Sequence, residues 1–239
     1  MAIPTYVGNG TVQGSAGSIT VPWPAGHASG DIGLLCIENY NSTVTLGTPA
    51  GFAALDELGS ATAVIRKTAV WWCRATSGSQ ASPVVSFVTN HQAAFIIAFR
   101  GCIGTGNPWE LSATSIKDTT STSASCPSVT PTINDSMIVN VCGGTSDSLS
   151  ANVSASSNGS LSGFTFAVEH NITNNAGGHL SAYYGGLATA GSSGNTSVTW
   201  ARTQQDAYVT IALKSADPGG GGGGGTILGG RTSLLGVGR

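Results

Sequence analysis

The fold is decided by Ala69–Gly101, AVWWCRATSGSQASPVVSFVTNHQAAFIIAFRG. Three short apolar runs, Val70–Arg74, Val84–Val88 and Ala94–Phe99, are separated by Ser-Gly, Pro and Thr-Asn. β-Branched and aromatic side chains fit a pleated surface, and the interrupting residues favour turns, so the spacing predicts three β-strands. Ser181–Lys214, SAYYGGLATAGSSGNTSVTWARTQQDAYVTIALK, follows the same grammar. Trp71-Trp72 stands opposite Tyr183-Tyr184, and Val85-Ser86-Phe87 opposite Val198-Thr199-Trp200. Gln92 falls opposite Gln205, and Ala94-Phe95 opposite Ala207-Tyr208. The chain reads as a duplicated β-structure.

Outward from these stretches the echo continues. Ile32–Glu38 is a near-continuous apolar run, as expected of a strand buried on both sides, and Met137–Cys142 answers it in the second half. That match makes Asp31 and Asp135 equivalent turn residues. Pro49–Phe52 and Gly163–Phe166 each read as a turn with an aromatic plug. Asn107–Glu110 reads as a turn, and residues 112–128, mostly Ser, Thr and Ala, as a loop or edge strand between the halves. Leu55–Lys67 holds at most about one turn of helix, because Gly59 and the β-branched residues oppose more. The expected fold is all-β: a two-sheet β-sandwich, jelly-roll-like, spanning 1–216 and built from two similar halves, about 1–104 and 127–214. Each sheet is expected to take strands from both halves. Trp71 or Trp72, Phe87, Phe95, Phe99, Tyr183 or Tyr184, Trp200 and Tyr208 are expected to line the core between the sheets.

Composition narrows the class. Of 239 residues 40% are hydrophobic, enough for a core, yet only 8% are charged, against roughly 25% in an average soluble protein. The net charge of −2 implies no general attraction to nucleic acid or to an anionic membrane. The first residues, Met-Ala-Ile-Pro-Thr-Tyr, lack the basic and apolar regions of a secretory signal, and no apolar run has the length of a membrane span. Five cysteines, an odd number, leave at least one unpaired. Cys36, Cys73 and Cys142 lie in apolar runs and read as small buried hydrophobes. A disulfide formed after release from the cell is the alternative.

The search for chemistry nominates no catalytic residue, metal site or cofactor. His27, His91, His170 and His179 have no ligand spacing. Glu169-His170 are neighbours that point apart on a strand and read as loop surface, and His91 lies in a turn. No G-x-S-x-G elbow is present. Gly219–Gly225 lacks the Lys-Ser/Thr that completes a phosphate loop. Trp23 and Trp109 are the candidate surface aromatics for contact with a ligand such as a sugar, with a part as core or turn plugs as the alternative.

After Asp217-Pro218 the seven glycines 219–225 form a flexible linker. Residues 226–239 follow, TILGGRTSLLGVGR, with anchors Ile227, Leu228, Arg231, Leu234, Leu235, Val237 and Arg239. This segment has no partner strand of its own. It reads as a docking peptide laid in a groove or on a sheet edge of another subunit, with a plain solvated terminus as the alternative.

Pro22-Trp23-Pro24-Ala25-Gly26-His27, Gly30–Leu35, the stretch through Phe99-Arg100-Gly101, and Asn107-Pro108-Trp109 together resemble structural proteins of tailed bacteriophages. The resemblance covers about residues 1–214. It implies a non-enzymatic, multi-copy virion component, made in the host cytoplasm and attached to a larger assembly by an extension. The implied partners are other virion proteins (tail, baseplate or capsid subunits), further copies of the chain, and a host-surface receptor or glycan. Neither nucleic acid nor membrane insertion is implied. A capsid-decoration protein and a stand-alone carbohydrate-binding module are the alternatives.

Overall fold

The computed structural model describes residues 2–15, 17–39, 46–59, 67–86, 92–145, 152–172 and 178–216. Phe87, His91, the linker at 217–225 and the proposed docking peptide at 226–239, with all seven of its anchors, lie outside the described residues.

The first half forms β1 (Thr5–Asn9), β2 (Gln13–Ser15), β3 (Ile19–Thr20), β4 (Ile32–Asn39), β5 (Ala53–Gly59), β6 (Lys67–Arg74), β7 (Val84–Val85) and β8 (Gln92–Arg100). One antiparallel sheet runs β1-β8-β4-β6-β5, with β2 also beside β8, while β3 and β7 make a separate two-stranded ladder. The second half forms β9 (Trp109–Cys126), β10 (Ser136–Gly144), β11 (Val153–Ser157), β12 (Ser162–Ile172), β13 (Gly178–Leu187) and β14 (Thr196–Leu213). Here β14 pairs with β9 along most of its length. It also pairs with β10 over Asp206–Leu213 and with β11 over Ser197–Trp200, and β13 and β12 follow beyond β10.

The molecule is thus an all-β, two-sheet sandwich, but each sheet is supplied by one half, which corrects the expected sharing of strands. Pairings within a half need shorter closed loops than pairings across the chain, and sequential elements tend to neighbour one another. The Ser/Thr-rich stretch after Trp109 is also not a link between halves. It is β9, the first strand of the second sheet, and it plays the part that β1, β2 and β3 share in the first. Of Leu55–Lys67, where at most a helical turn was expected, residues 55–59 belong to β5 against β6, Lys67 opens β6, and 60–66 lie outside the described residues.

The sheets pack through Leu34, Cys36, Val70, Phe95, Ile97 and Phe99 on one side and Val139, Val141, Leu180, Ala182, Val209 and Ile211 on the other. Their outer faces are covered too. The β3–β7 ladder and Trp23 lie over Leu35, Ile37, Trp71 and Ile96. The far ends of β9 and β14 lie over Cys142, Tyr183 and Tyr208. Four layers result, and every residue of β4 and of β10 is buried. This two-sided burial is why their sequences are continuous apolar runs instead of alternating ones.

Each aromatic pair divides between layers, as adjacent residues on a strand must. Trp72 and Tyr184 pack against the inter-sheet core, and Trp71 and Tyr183 are buried under the outer layers. Trp200 and Tyr208 also belong to an outer core and not to the space between the sheets.

The ladders give the true alignment of the halves. Leu35 pairs with Trp71 as Asn140 pairs with Tyr183, and Ile37 pairs with Ala94 as Cys142 pairs with Tyr208. Tyr208 therefore corresponds to Ala94, one residue away from the match read in sequence. The slip is absorbed in β14, where the register shifts between Thr199 and Gln204 and again between Gln204 and Asp206. A one-residue slip exchanges the two faces of a strand, which puts Phe95 inside and Tyr208 outside. The same ladders set Asp135 against Gly30, not Asp31. Both adopt left-handed backbone, at φ 58° and 91°.

Candidate functional site

The largest concentration of polar chemistry among the described residues lies on the outer face of the second sheet. Alternation brings it together: Glu169 and Asn171 on β12, His179, Ser181 and Tyr183 on β13, and Gln204, Asp206 and Tyr208 on β14. The ladders align these strands in rows, with Asn171 beside His179, Glu169 beside Ser181, and Cys142 between Ser181 and Tyr208. Gly144 stands between His179 and Asp206. A Cβ there would lie 2.7 Å from Asp206 Oδ1 and from Gln204 Nε2, so its missing side chain makes the hollow those two groups fill.

Hydrogen bonds run through the cluster. Asp206 Oδ2 accepts from Tyr208 Oη at 2.8 Å and from Trp200 Nε1 at 3.1 Å, and Oδ1 accepts from Gln204 Nε2 at 2.6 Å. Asn152 Nδ2 donates to Gln204 Oε1 at 2.6 Å. Burial pushes the Asp206 carboxyl up to about 6, against the opposing pull of these donors. Glu169 goes the other way. Burial raises it, but bonds from His179, Asn171 and the Asn152 backbone outweigh that and hold it below the usual range.

Glu169 Oε1, His179 Nδ1 and Ser181 Oγ form an acid–imidazole–hydroxyl series. Nδ1 is 3.3 Å from Glu169 and 3.0 Å from Asn171 Oδ1, and Nε2 is 3.0 Å from Ser181 Oγ. The order is that of a nucleophile triad, but the setting differs. Ser181 and His179 are 0% exposed, and the Trp200 ring stands edge-on over the imidazole at 4.9 Å. Ser181 Oγ also lies 3.3 Å from the Tyr183 hydroxyl. A working nucleophile needs a reacting atom about 3 Å from its oxygen, and here that shell is filled by protein. What the series does in this state is satisfy buried polar groups.

Sequence reading missed this cluster, because it looked for ligand spacing and named motifs. The available signal was polar residues at period two, His179-x-Ser181-x-Tyr183 and Gln204-x-Asp206-x-Tyr208, inside otherwise apolar strands. Glu169 and His170 do point apart, but both sit in β12 and not in a surface loop. Burial lowers the His170 pKa.

The two surface aromatics read from sequence are packing residues in the structure. Trp23 is 7% exposed, and a Cβ on Gly33 would lie 2.4 Å from its ring, so the six-membered end of the indole fills the space that Gly33 leaves on the first sheet. The His27 ring lies tilted against it with centroids 5.1 Å apart, and the Phe52 ring does so at 6.1 Å. Trp109 opens β9 half-buried, with its ring against the inter-sheet core. Among the described residues the exposed large hydrophobics are Val84 and Phe166.

A surface cleft of about 350 Å³ lies between β1 and β12, lined by Ile3, Pro4, Tyr6, Met137, Ser162 and Tyr184 among others. Tyr6 and Tyr184 stack across its base with ring centroids 4.6 Å apart. The described residues end close by. Ala216 N donates to Gly101 O at 2.7 Å, and Gly101 sits against Pro4 on the cleft's lip. Among the described residues no group of three or more His, Cys, Asp or Glu is placed to hold a metal ion. No family model matches the chain, and no curated protein and no solved structure matches it.

Proposed function

We propose that the chain is a non-enzymatic structural subunit of a tailed-phage virion, anchored to the particle by its C-terminal segment. The observation that carries this reading is that β14, the last strand among the described residues, ends at Leu213, and the glycine run and an apolar segment follow it in sequence. Ile227, Leu228, Leu234, Leu235 and Val237 follow that run as apolar anchors in a short Gly-rich segment, a pattern that suits docking on a neighbour. The tether suits that role. Residues 217–225 reach about 30 Å when extended, and glycine imposes no preferred direction. Low charge and a Ser/Thr-rich outer strand suit a protein that packs in many copies. The burial of the Glu169–His179–Ser181 series favours a structural part for it.

The test is deletion of residues 217–239. Circular dichroism and gel filtration of the truncated protein should match the full chain, while its recovery in assembled particles falls to background. Normal incorporation of the folded truncation would overturn the anchoring role.

A further inference from the structure

Cys126 ends β9, and Cys142 lies in β10. Their sulfurs are 3.2 Å apart, and both residues are 0% exposed. The two belong to different layers. Cys126 pairs with Thr196 in the ribbon that covers the second sheet, and Cys142 pairs with Ser181 and Tyr208 within that sheet. The duplication supplies an internal reference. Val198 corresponds to Val85, and their partners Ala124 and Ile19 place Cys126 at the position of Val21. Cys142 stands at the position of Ile37. Val21 and Ile37 share the outer core of the first half. Both halves thus bring an outer ribbon onto the central strand at this point, with aliphatic groups in one and two thiols in the other.

We propose that Cys126 and Cys142 are a redox pair, which closes to a disulfide when the folded protein meets a low-molecular-weight disulfide such as oxidised glutathione. One cysteine thiolate attacks the oxidant's S–S bond and displaces one of its thiols, leaving a mixed disulfide. The second thiolate attacks the protein sulfur of that bond and displaces the other thiol. Two protein S–H bonds are lost and one S–S bond forms. Two protons pass to solvent or to the leaving thiolates, and the oxidant is reduced to two thiols. Closure needs the sulfurs to approach by about 1 Å. Burial, then the neighbouring Cys126, raise the Cys142 thiol well above its ordinary value. Reaction therefore waits on opening of the ribbon, and is slow in the native state. Cys36, Cys73 and Cys102 are each buried as single thiols and serve as internal controls.

The full chain is incubated with oxidised glutathione, with and without enough urea to loosen the ribbon, then denatured for thiol counting and peptide mapping. The five free thiols should fall to three, with one cross-link joining the peptides of Cys126 and Cys142. The intact mass should drop by about 2 Da, and the melting temperature should rise by several degrees over the reduced chain. The double variant Cys126→Val, Cys142→Val, which copies the aliphatic chemistry of the first half, should melt like the reduced parent and ignore the oxidant. Five thiols persisting after oxidation in urea, or a cross-link through any other cysteine, would overturn the assignment.

Discussion

Asp206 carries the clearest pH signature of any single residue. Its carboxyl titrates at about 6 in the folded protein, against about 3.9 in an unfolded chain. The folded state therefore binds the proton more tightly, and the contribution favours acid. It is fully present below the unfolded value and is lost as pH rises through 6. Two units correspond to about 3 kcal/mol. Glu169 has the opposite sign, since its depressed pKa withdraws stability as the pH falls below the usual carboxylate range. The Asp206 contribution to the urea midpoint should accordingly rise as pH falls from about 7 to about 5, set against His170, whose burial-lowered pKa withdraws stability over the same range, and Glu169 then brings a decline in stronger acid. In Asp206→Asn the rise between pH 7 and 5 should vanish, and an unchanged slope would assign it to another group. None of this was legible at the residue level. A lone Asp in Gln-Asp-Ala-Tyr announces nothing until the chain's second sheet sets it beneath Trp200.

Among elements, the turn into each central strand is the sharpest test of the alignment of the halves. Gly30 and Asp135 both take left-handed backbone, and a Cβ at Gly30 would meet nothing within 4 Å. Gly30→Ala should therefore cost about 1–2 kcal/mol from backbone strain alone, read as a lower denaturant midpoint without a change of slope. Asp31→Ala should cost stability for a different reason. It breaks the paired bonds from Arg100 at 2.7 and 2.9 Å and the cap on the Ala28 amide. Most strands were legible, because apolar runs bounded by Gly, Pro and Ser leave few alternatives. The faces of β14 were not. Its extra residue between Thr199 and Asp206 is invisible to letter matching, yet it turns Tyr208 outward. Nor was β9 read as part of the second half, because Ser and Thr on an outer strand look like loop composition.

Across the whole molecule the two halves are one folding unit. The inner core is drawn from both sheets. A fragment of residues 1–104 would leave Leu34, Phe95, Ile97 and Phe99 facing water, with no second sheet to cover them. The full chain should melt in one cooperative transition, while this fragment gives an unfolded or aggregated product by circular dichroism and light scattering. A well-dispersed amide spectrum from the fragment would show that the sheets are separable. Duplication was legible from the aromatic pairs, but the division of sheets between halves was not. Strands buried on both faces carry no inside–outside alternation, and that alternation is the only periodic record of which sheet a strand joins.

The bonds at the end of β14 also settle how the sandwich bears a load. Asp206–Leu213 is hydrogen-bonded to β9 on one side and to β10 on the other. Past Leu213, Lys214 is tied to Pro108 and Ala216 to Gly101. Inter-strand bonds lie across the strand axis. A pull from the C-terminal end along β14 therefore meets both ladders in shear, with their bonds strained together. The same force turned sideways would unzip them one at a time.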